Sequence, residues 1–365
     1  MLEPTTLVLV SGFVLGAIIG AASRWAQFCT LGAIADTIIV GDKRRLRAWL
    51  LAIAVAIVGT QLLHMSDIVD LGRSIYLAGS FGWLGALLGG AMFGFGMALV
   101  GTCGYGTLIR LGGGDLRALI DLTTLGIFAY LTLSGPLAYI RTAAIERTDL
   151  SSPAMASPGI PDLLMFATGF SETAARSMVT LLIAGSLLYL CLRDRSFRSC
   201  TKEMTAAIIM GLAITAAWLV TGYFGQDAFD PKPPVSFTFV RPLGDSVLYT
   251  MLASGMSPTF GIASVAGVLI GAHLMARAKE ELRREGFDGD RELVRHLTGS
   301  ALMGVGGALA LGCTIGQGMS GISALALSAP LALIAIFAGA ALGLRYLEEG
   351  SFSGALRVLL NRSVA

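Results

Sequence analysis

The chain has 365 residues, of which 55% are hydrophobic and 14% are charged, and its net charge is +2. Soluble domains carry about 25% charged residues, so this composition excludes an ordinary soluble protein. A bilayer core requires about 20 apolar residues in a helix. We therefore predict an all-α, polytopic membrane protein with about nine spans across the lipid bilayer. The stretches that contain no Asp, Glu, Lys or Arg are residues 5–23, 48–63, 74–109, 246–276 and 297–344.

The segments between these stretches predict the orientation. Residues 42–47 (D-K-R-R-L-R) and 193–202 (R-D-R-S-F-R-S-C-T-K) each hold four basic residues and one acidic residue, as cytoplasmic loops do. Residues 66–73 and 224–245 show no such enrichment, and we expect them to lie outside. Residues 1–6 form no positively charged n-region, so the first apolar stretch is expected to remain as a span that starts outside.

Two further segments organise the chain. Residues 277–296 carry equal numbers of acidic and basic groups and are predicted to form a solvated amphipathic helix. Residues 141–162 contain Ser, Pro and Gly near their end, which is typical of a linker. We expect this linker to divide a single transmembrane domain, 1–365, into halves 1–145 and 163–347.

Two cysteines mark an internal repeat. Residues 94–106 read G-F-G-M-A-L-V-G-T-C-G-Y-G and residues 304–316 read G-V-G-G-A-L-A-L-G-C-T-I-G, which places Cys103 and Cys313 at matching points. Glycine costs a helix about 1 kcal/mol relative to Ala, so such dense glycine favours interruption. Non-helical backbone survives in a membrane only where it is buried in protein or lines a cavity. The repeat therefore predicts short re-entrant half-helices that meet at each cysteine, the sign of a transporter site. It leaves open whether the two halves are parallel or inverted.

The chemistry of these residues suits a soft anion. A thiol is a weak donor and a polarizable acceptor, and the N-terminus of a half-helix attracts negative charge. Thiosulfate combines soft sulfur with anionic oxygens. A lone membrane cysteine more often packs than functions, but repetition favours function for Cys103 and Cys313, whereas Cys29 alone fits either role. We expect Arg24 and Arg110, near two of the cysteines, to attract the anion at the rims.

Several classes of site have no support in the sequence. Cys191 and Cys200 flank a basic loop and are predicted to be incidental, and no pair of cysteines has C-x-x-C spacing. The three histidines form no cluster, so no metal site is predicted. No P-loop motif is found. We predict no cofactor, no nucleic-acid partner and no enzymatic activity.

Four motifs carry a resemblance that covers nearly the whole chain. They are residues 24–36 (R-W-A-Q-F-C-T-L-G-A-I-A-D), 94–110 (G-F-G-M-A-L-V-G-T-C-G-Y-G-T-L-I-R), 192–198 (L-R-D-R-S-F-R) and 310–321 (A-L-G-C-T-I-G-Q-G-M-S-G). In their order and spacing these motifs make the sequence similar to the YeeE/YedE family of membrane proteins, which is linked to the uptake of thiosulfate and other sulfur compounds.

The resemblance implies an hourglass-shaped transporter in the bacterial inner membrane, in which three cysteines contact thiosulfate through S–H hydrogen bonds. It also implies a small soluble sulfur-carrier protein as a partner at the cytoplasmic face. The expected route passes Cys103, then Cys313 and Cys29. Three alternatives stay open, namely another sulfur or selenium compound as cargo, an intramembrane thiol sulfurtransferase, and a passive channel subunit. The predicted substrate-binding residues are Cys29, Cys103, Cys313, Gly104, Gly106, Gly312, Gly316, Gln317, Arg24 and Arg110.

Overall fold

The computed structural model describes residues 4–150, 157–226 and 232–362. Within these residues the chain is helical and has no strand, only three isolated β-bridges, which confirms the all-α prediction. The helices are α1 (Pro4–Ala26), α2 (Thr30–Ala35), α3 (Arg44–Met65), α4 (Trp83–Val100), α5 (Gly104–Gly112), α6 (Arg117–Leu133), α7 (Pro136–Ile140), α8 (Ile160–Thr168), α9 (Glu172–Leu192), α10 (Arg195–Arg198), α11 (Thr201–Leu219), α12 (Val240–Leu252), α13 (Phe260–Ala278), α14 (Asp290–Leu309), α15 (Ser328–Glu349) and α16 (Phe352–Arg362). Short π-helical turns are formed by Asp36–Val40, Arg141–Ile145, Val220–Phe224 and Gly316–Gly321.

Seven helical segments in the described part of the chain are long and apolar enough to cross a membrane, and the α6–α7 pair, bent by 46°, gives an eighth. This agrees with a multi-pass membrane protein. The 20-residue helix α14 is not among them because its first turns carry Asp290, Glu292 and further charges. The number of nine spans and the hourglass shape therefore stay predictions.

The two basic loops lie together. Arg47 forms an ion pair with Asp194, so residues 42–47 and 193–202 share one side, as expected of two cytoplasmic loops. Arg24 at the end of α1 pairs with Glu281 at 3.3 Å. The strap between α13 and α14, residues 279–289, therefore lies on the same side, which is predicted to be cytoplasmic.

The prediction of an amphipathic helix across 277–296 is wrong. Helix α13 ends at Ala278, Glu280 adopts a left-handed φ of 57°, and no helix resumes until α14. The amide of Arg283 donates to the carbonyl of Gly113, and Glu285 accepts from Leu116. These bonds tie the strap to the turn between α5 and α6, so its backbone is satisfied without helical pairing.

The predicted outer loop 224–245 is also partly wrong. Beyond residues 227–231, which lie outside the described residues, the chain runs extended into the protein, and α12 begins at Val240. Phe237 and Phe239 are fully buried, and Phe239 contacts the ring of Tyr105 at 4.9 Å between centroids. Part of the predicted linker, residues 151–156, and residues 1–3 also lie outside the described residues.

Helices α4 and α14 pack antiparallel through glycine. A Cβ atom on Gly306 would lie 2.5 Å from the carbonyl oxygen of Gly89, and one on Gly96 would lie 2.4 Å from that of Gly299. Adding the repeat offset of 210 to Gly89 and Gly96 gives Gly299 and Gly306, so each contact maps onto the other. The repeated segments are therefore inverted relative to one another. The wider division into halves 1–145 and 163–347 stays a prediction.

Candidate functional site

Three cysteines share one local structure. Each cysteine starts a short helical segment at a break in the chain, and its Sγ accepts the amide N–H of the glycine three residues later. The N–Sγ distances are 3.5 Å for Cys29 with Gly32, 3.5 Å for Cys103 with Gly106, and 3.4 Å for Cys313 with Gly316. Each cysteine carbonyl accepts the amide four residues on. The thiol thus acts as a cap that satisfies an otherwise free N–H group.

Side chains crowd the glycine that lies three residues after each cysteine. A Cβ on Gly106 would lie 2.0 Å from the hydroxyl oxygen of Thr102, and one on Gly316 would lie 2.5 Å from that of Thr238. A Cβ on Gly32 would lie 2.8 Å from the guanidinium of Arg45. The short segment C-x-x-G therefore lets backbone and polar side chains approach each thiol closely.

Cys103 lies close to the segments of the other two thiols. The hydroxyl of Thr30 in the Cys29 segment lies 4.0 Å from the Sγ of Cys103, and Thr314, next to Cys313, lies beside the same thiol. Thr102 lies 3.9 Å from the Cys29 sulfur. Cys103 and Cys313 are buried, whereas Cys29 is partly exposed. A role of the three thiols in binding the anion stays a prediction.

A cavity of about 500 Å³ opens on the side of the two basic loops, which is predicted to be cytoplasmic, and reaches Cys29. Its lining includes Thr102 and Gly106 from the Cys103 segment and three guanidinium groups, those of Arg24, Arg45 and Arg110. Arg45 also contacts Asp36 at 3.3 Å at the rim. The cavity is therefore a basic vestibule that ends at the first of the three thiols.

A smaller cavity of about 50 Å³ lies on the opposite side of the cysteines. Its lining includes Tyr76 and Gln317, the latter four residues after Cys313, together with residues 308–311 at the end of α14. The Cys103 break therefore faces the larger cavity and the Cys313 break faces the smaller one through residues 308–311 and Gln317, as the inverted packing of α4 and α14 requires.

The two predicted arginines have structural partners as well as a place in the cavity. Arg110 donates to the carbonyl oxygens of Gly101 at 2.8 Å and Val100 at 3.4 Å, which caps the C-terminus of α4. Arg24 pairs with Glu281, and its Nε is buried without a partner in the described residues. Both guanidinium groups remain in contact with the vestibule.

Polar side chains without partners collect around Cys313. Gln317 is fully buried and donates to the carbonyl of Ala310, but its Oε1 has no hydrogen-bond partner among the described residues. The hydroxyls of Thr314 and Tyr76 form no hydrogen bond of good geometry among the described residues, although Thr314 lies beside the Cys103 thiol and Tyr76 beside Thr238. A buried polar atom without a partner is costly, so these groups are suited to contact a transported ligand or water.

All ten predicted residues belong to this one region. Gly104 and Gly106 start α5, Gly312 and Gly316 flank Cys313, and the arginines border the vestibule. The described residues contain no group of His, Cys, Asp or Glu that could hold a metal ion. Sequence reasoning missed the polar groups Thr102, Thr314, Tyr76 and Arg45. It also missed the third C-x-x-G cap, although the letters C-T-L-G at 29–32 contain the signal.

Comparisons with known proteins identify the family of this chain. A family model described as "Sulphur transport" matches residues 25–342. A protein from Escherichia coli (strain K12) named "Thiosulfate transporter TsuA" is 26% identical over 325 residues, which cover 86% of this chain and 87% of that protein. A protein of the same name from Spirochaeta thermophila is 24% identical over 353 residues, which cover 90% of this chain and 96% of that protein. These are transporters and not enzymes, and the chain belongs to the YeeE/YedE family of sulfur transport proteins.

Proposed function

We propose that this protein imports thiosulfate across the bacterial inner membrane along the three cysteines. The observation that carries the proposal is the convergence of three C-x-x-G caps between a basic cytoplasmic cavity and an outer cavity. Two relatives named thiosulfate transporters support the choice of cargo.

The cap explains why the thiols serve the anion. Each Sγ already accepts a backbone N–H, which leaves the hydrogen of its S–H group for a ligand or for a neighbouring hydroxyl such as that of Thr102 or Thr30. A thiol is a weak donor, and conduction requires binding that is weak enough for release. Three successive weak donors pass an anion along without a covalent intermediate.

The order of contacts follows from the neighbours of each thiol. Gln317, one turn after Cys313, lines the smaller cavity, Cys103 lies close to the segments of both other cysteines, and Cys29 borders the vestibule. We therefore propose the order Cys313, Cys103, Cys29, in place of the order expected from the sequence. Arg24 and Arg110 attract the anion into the vestibule, and a small soluble sulfur-carrier protein is proposed as a partner at that face.

The test is uptake of radiolabelled thiosulfate by proteoliposomes that contain single alanine variants. The loss of one hydrogen bond to a charged ligand costs about 1.5–3 kcal/mol, and for a weak S–H donor we take the lower end, about tenfold in apparent affinity. We expect at least this loss for Cys103→Ala and Cys313→Ala.

Cys191→Ala is the matched control, because Cys191 is equally buried but donates to the carbonyl of Arg47, away from both cavities. Normal uptake by both site variants at normal abundance would contradict the proposal. Competition by sulfite, sulfide and selenosulfate in the same assay separates thiosulfate from the alternative cargoes.

A further inference from the structure

One buried pair of ionisable residues lies between two packed helices, away from the cysteine route. Asp121 of α6 and His296 of α14 are both almost fully buried, and His296 Nδ1 lies 3.0 Å from Asp121 Oδ2. Ser300 donates a further hydrogen bond to the Asp121 carboxylate at 2.9 Å. Ionisable residues within membrane helices are costly and point to function.

The bonding pattern favours one tautomer of His296. An ionised Asp121 carboxylate only accepts hydrogen bonds, which suits the tautomer whose Nδ1 carries a hydrogen and donates it to Asp121. The second ring nitrogen, Nε2, is then the atom that binds or releases a proton. It faces Glu292, 3.8 Å away, and Glu292 is partly exposed and also contacts Arg117 at 3.1 Å. The ring of Phe287 covers the imidazole edge-on.

We propose that this pair is a proton-binding site that couples proton entry to anion import, an inference that rests on the proposed function. The pair has a net charge of −1 when Nε2 is empty and of zero when it holds a proton. Glu292 connects it to the cytoplasm on the side to which the large vestibule also opens. Proton and anion sites thus face the same compartment in this conformation, as alternating access requires of a symporter.

Among the described residues, the helices packed around the Asp121–His296 pair contribute no other buried titratable group to it. Helix α4 presents no titratable residue, and the ionisable residues of α5 and α12 bond elsewhere, as Arg110 does to Gly101 and Asp245 does to Tyr130. The charged groups that face the pair from its own helices and from the strap are Asp115, Arg117, Glu285, Asp288, Glu292 and Arg295.

The pair can act on the cysteine route through packing. Leu125 lies one turn beyond Asp121 on α6. Its carbonyl oxygen would be 2.5 Å from a Cβ on Gly304 of α14, and its side chain would be 3.2 Å from a Cβ on Gly104 beside Cys103. A change of charge between α6 and α14 therefore acts on a contact that both cysteine segments share.

The charge of the cargo gives a reason for coupling. Each elementary charge moved against 100 mV costs about 2.3 kcal/mol, so an interior that is negative by 100 mV excludes a dianion roughly 2,000-fold. One proton carried with each thiosulfate recovers a factor of about 50 of this. The coupled proton adds a further tenfold accumulation for each pH unit by which the outside is more acidic than the inside.

The experiment uses proteoliposomes with a pH-sensitive dye inside and the membrane potential held at zero. We expect external thiosulfate to acidify the interior, and one unit of inward pH gradient to drive up to about tenfold accumulation. Asp121→Asn should abolish both effects while radiolabelled thiosulfate still exchanges at equal concentrations. Asp245→Asn, which changes a membrane carboxylate bonded by Tyr130, should keep both effects.

The outcomes separate the two proposals. Thiosulfate exchange by the wild type without acidification overturns the proton site and leaves the proposed function intact. Coupled transport by Asp121→Asn at wild-type level overturns it as well. Absence of exchange in the wild type overturns the proposed function. If Asp121→Asn fails to fold, the wild-type proton flux still decides, and His296→Gln provides the second variant.

Discussion

The glycine contact between α4 and α14 predicts that Gly→Ala destabilises the protein at the contact and does not destabilise it at a glycine with open space around it. At the contact we consider Gly306→Ala and its inverted counterpart, Gly96→Ala. A Cβ on Gly306 would lie 2.5 Å from the carbonyl oxygen of Gly89 and 2.6 Å from the amide nitrogen of Phe93. Ordinary contact begins at 3.4 Å, so the helices must separate locally by about 0.9 Å, and both blocking atoms belong to backbone.

The magnitude follows from two opposing effects. Overpacking of this kind costs about 1–3 kcal/mol, and Ala regains up to about 1 kcal/mol of helix propensity. We therefore expect a net destabilisation of about 1–2 kcal/mol for Gly306→Ala and a similar value for Gly96→Ala. Gly185 of α9 has no atom within 4 Å of its Cβ position, so Gly185→Ala should be neutral or stabilising.

The assay is the folded fraction that remains after heating, measured by size-exclusion chromatography of a fluorescent fusion in detergent. Gly96→Ala and Gly306→Ala should lose folded protein at lower temperature than the wild type, and Gly185→Ala should not. Equal stability of Gly306→Ala and the wild type would refute the close antiparallel contact. Equal loss in Gly185→Ala would show that alanine harms this protein irrespective of packing.

Three further predictions concern the site. Cys103→Ser keeps an acceptor for the amide of Gly106, so abundance should match the wild type while apparent affinity for thiosulfate falls; unchanged affinity would argue against a role for the soft sulfur. Arg110→Ala frees the carbonyl of Gly101 at the end of α4 and should lower thermal stability by about 1–3 kcal/mol, whereas wild-type stability would show that the cap contributes nothing. Arg45→Ala removes a partly exposed charge at the vestibule and should preserve abundance while weakening the salt dependence of transport; an unchanged salt response would exclude Arg45 from attracting the anion.

Much of the site can be predicted from the sequence because each copy of the repeat is a short, continuous segment. Cys103 and Cys313 stand in near-identical glycine-rich segments, and the dense glycine predicts the breaks that the structure contains. The inversion of the two repeated segments could not be predicted from the sequence. Their relative orientation depends on the number of membrane crossings between them, and the charged start of α14 makes that number uncertain from the sequence.

Other features depend on partners distant in sequence. The strap that follows α13 has the charge pattern of a solvated helix, but its backbone bonds to residues 113 and 116. The segment that carries Phe237 and Phe239 stands among Pro and polar residues, so it reads as an outer loop although both rings are buried. From the sequence alone, Arg110 is predicted to be a charge at the rim of the route. Its carbonyl partners lie nine and ten residues earlier, and they come within hydrogen-bonding distance only because the chain turns at Gly101.

The most direct measurement of the cysteine route is a structure of this protein determined by electron cryomicroscopy in the presence of thiosulfate. We predict density for the anion within hydrogen-bonding distance of at least one thiol among Cys313, Cys103 and Cys29, in line with the two cavities. Density confined to sites away from all three sulfur atoms, or thiols sealed in dry packing with the ligand passing elsewhere, would contradict the account.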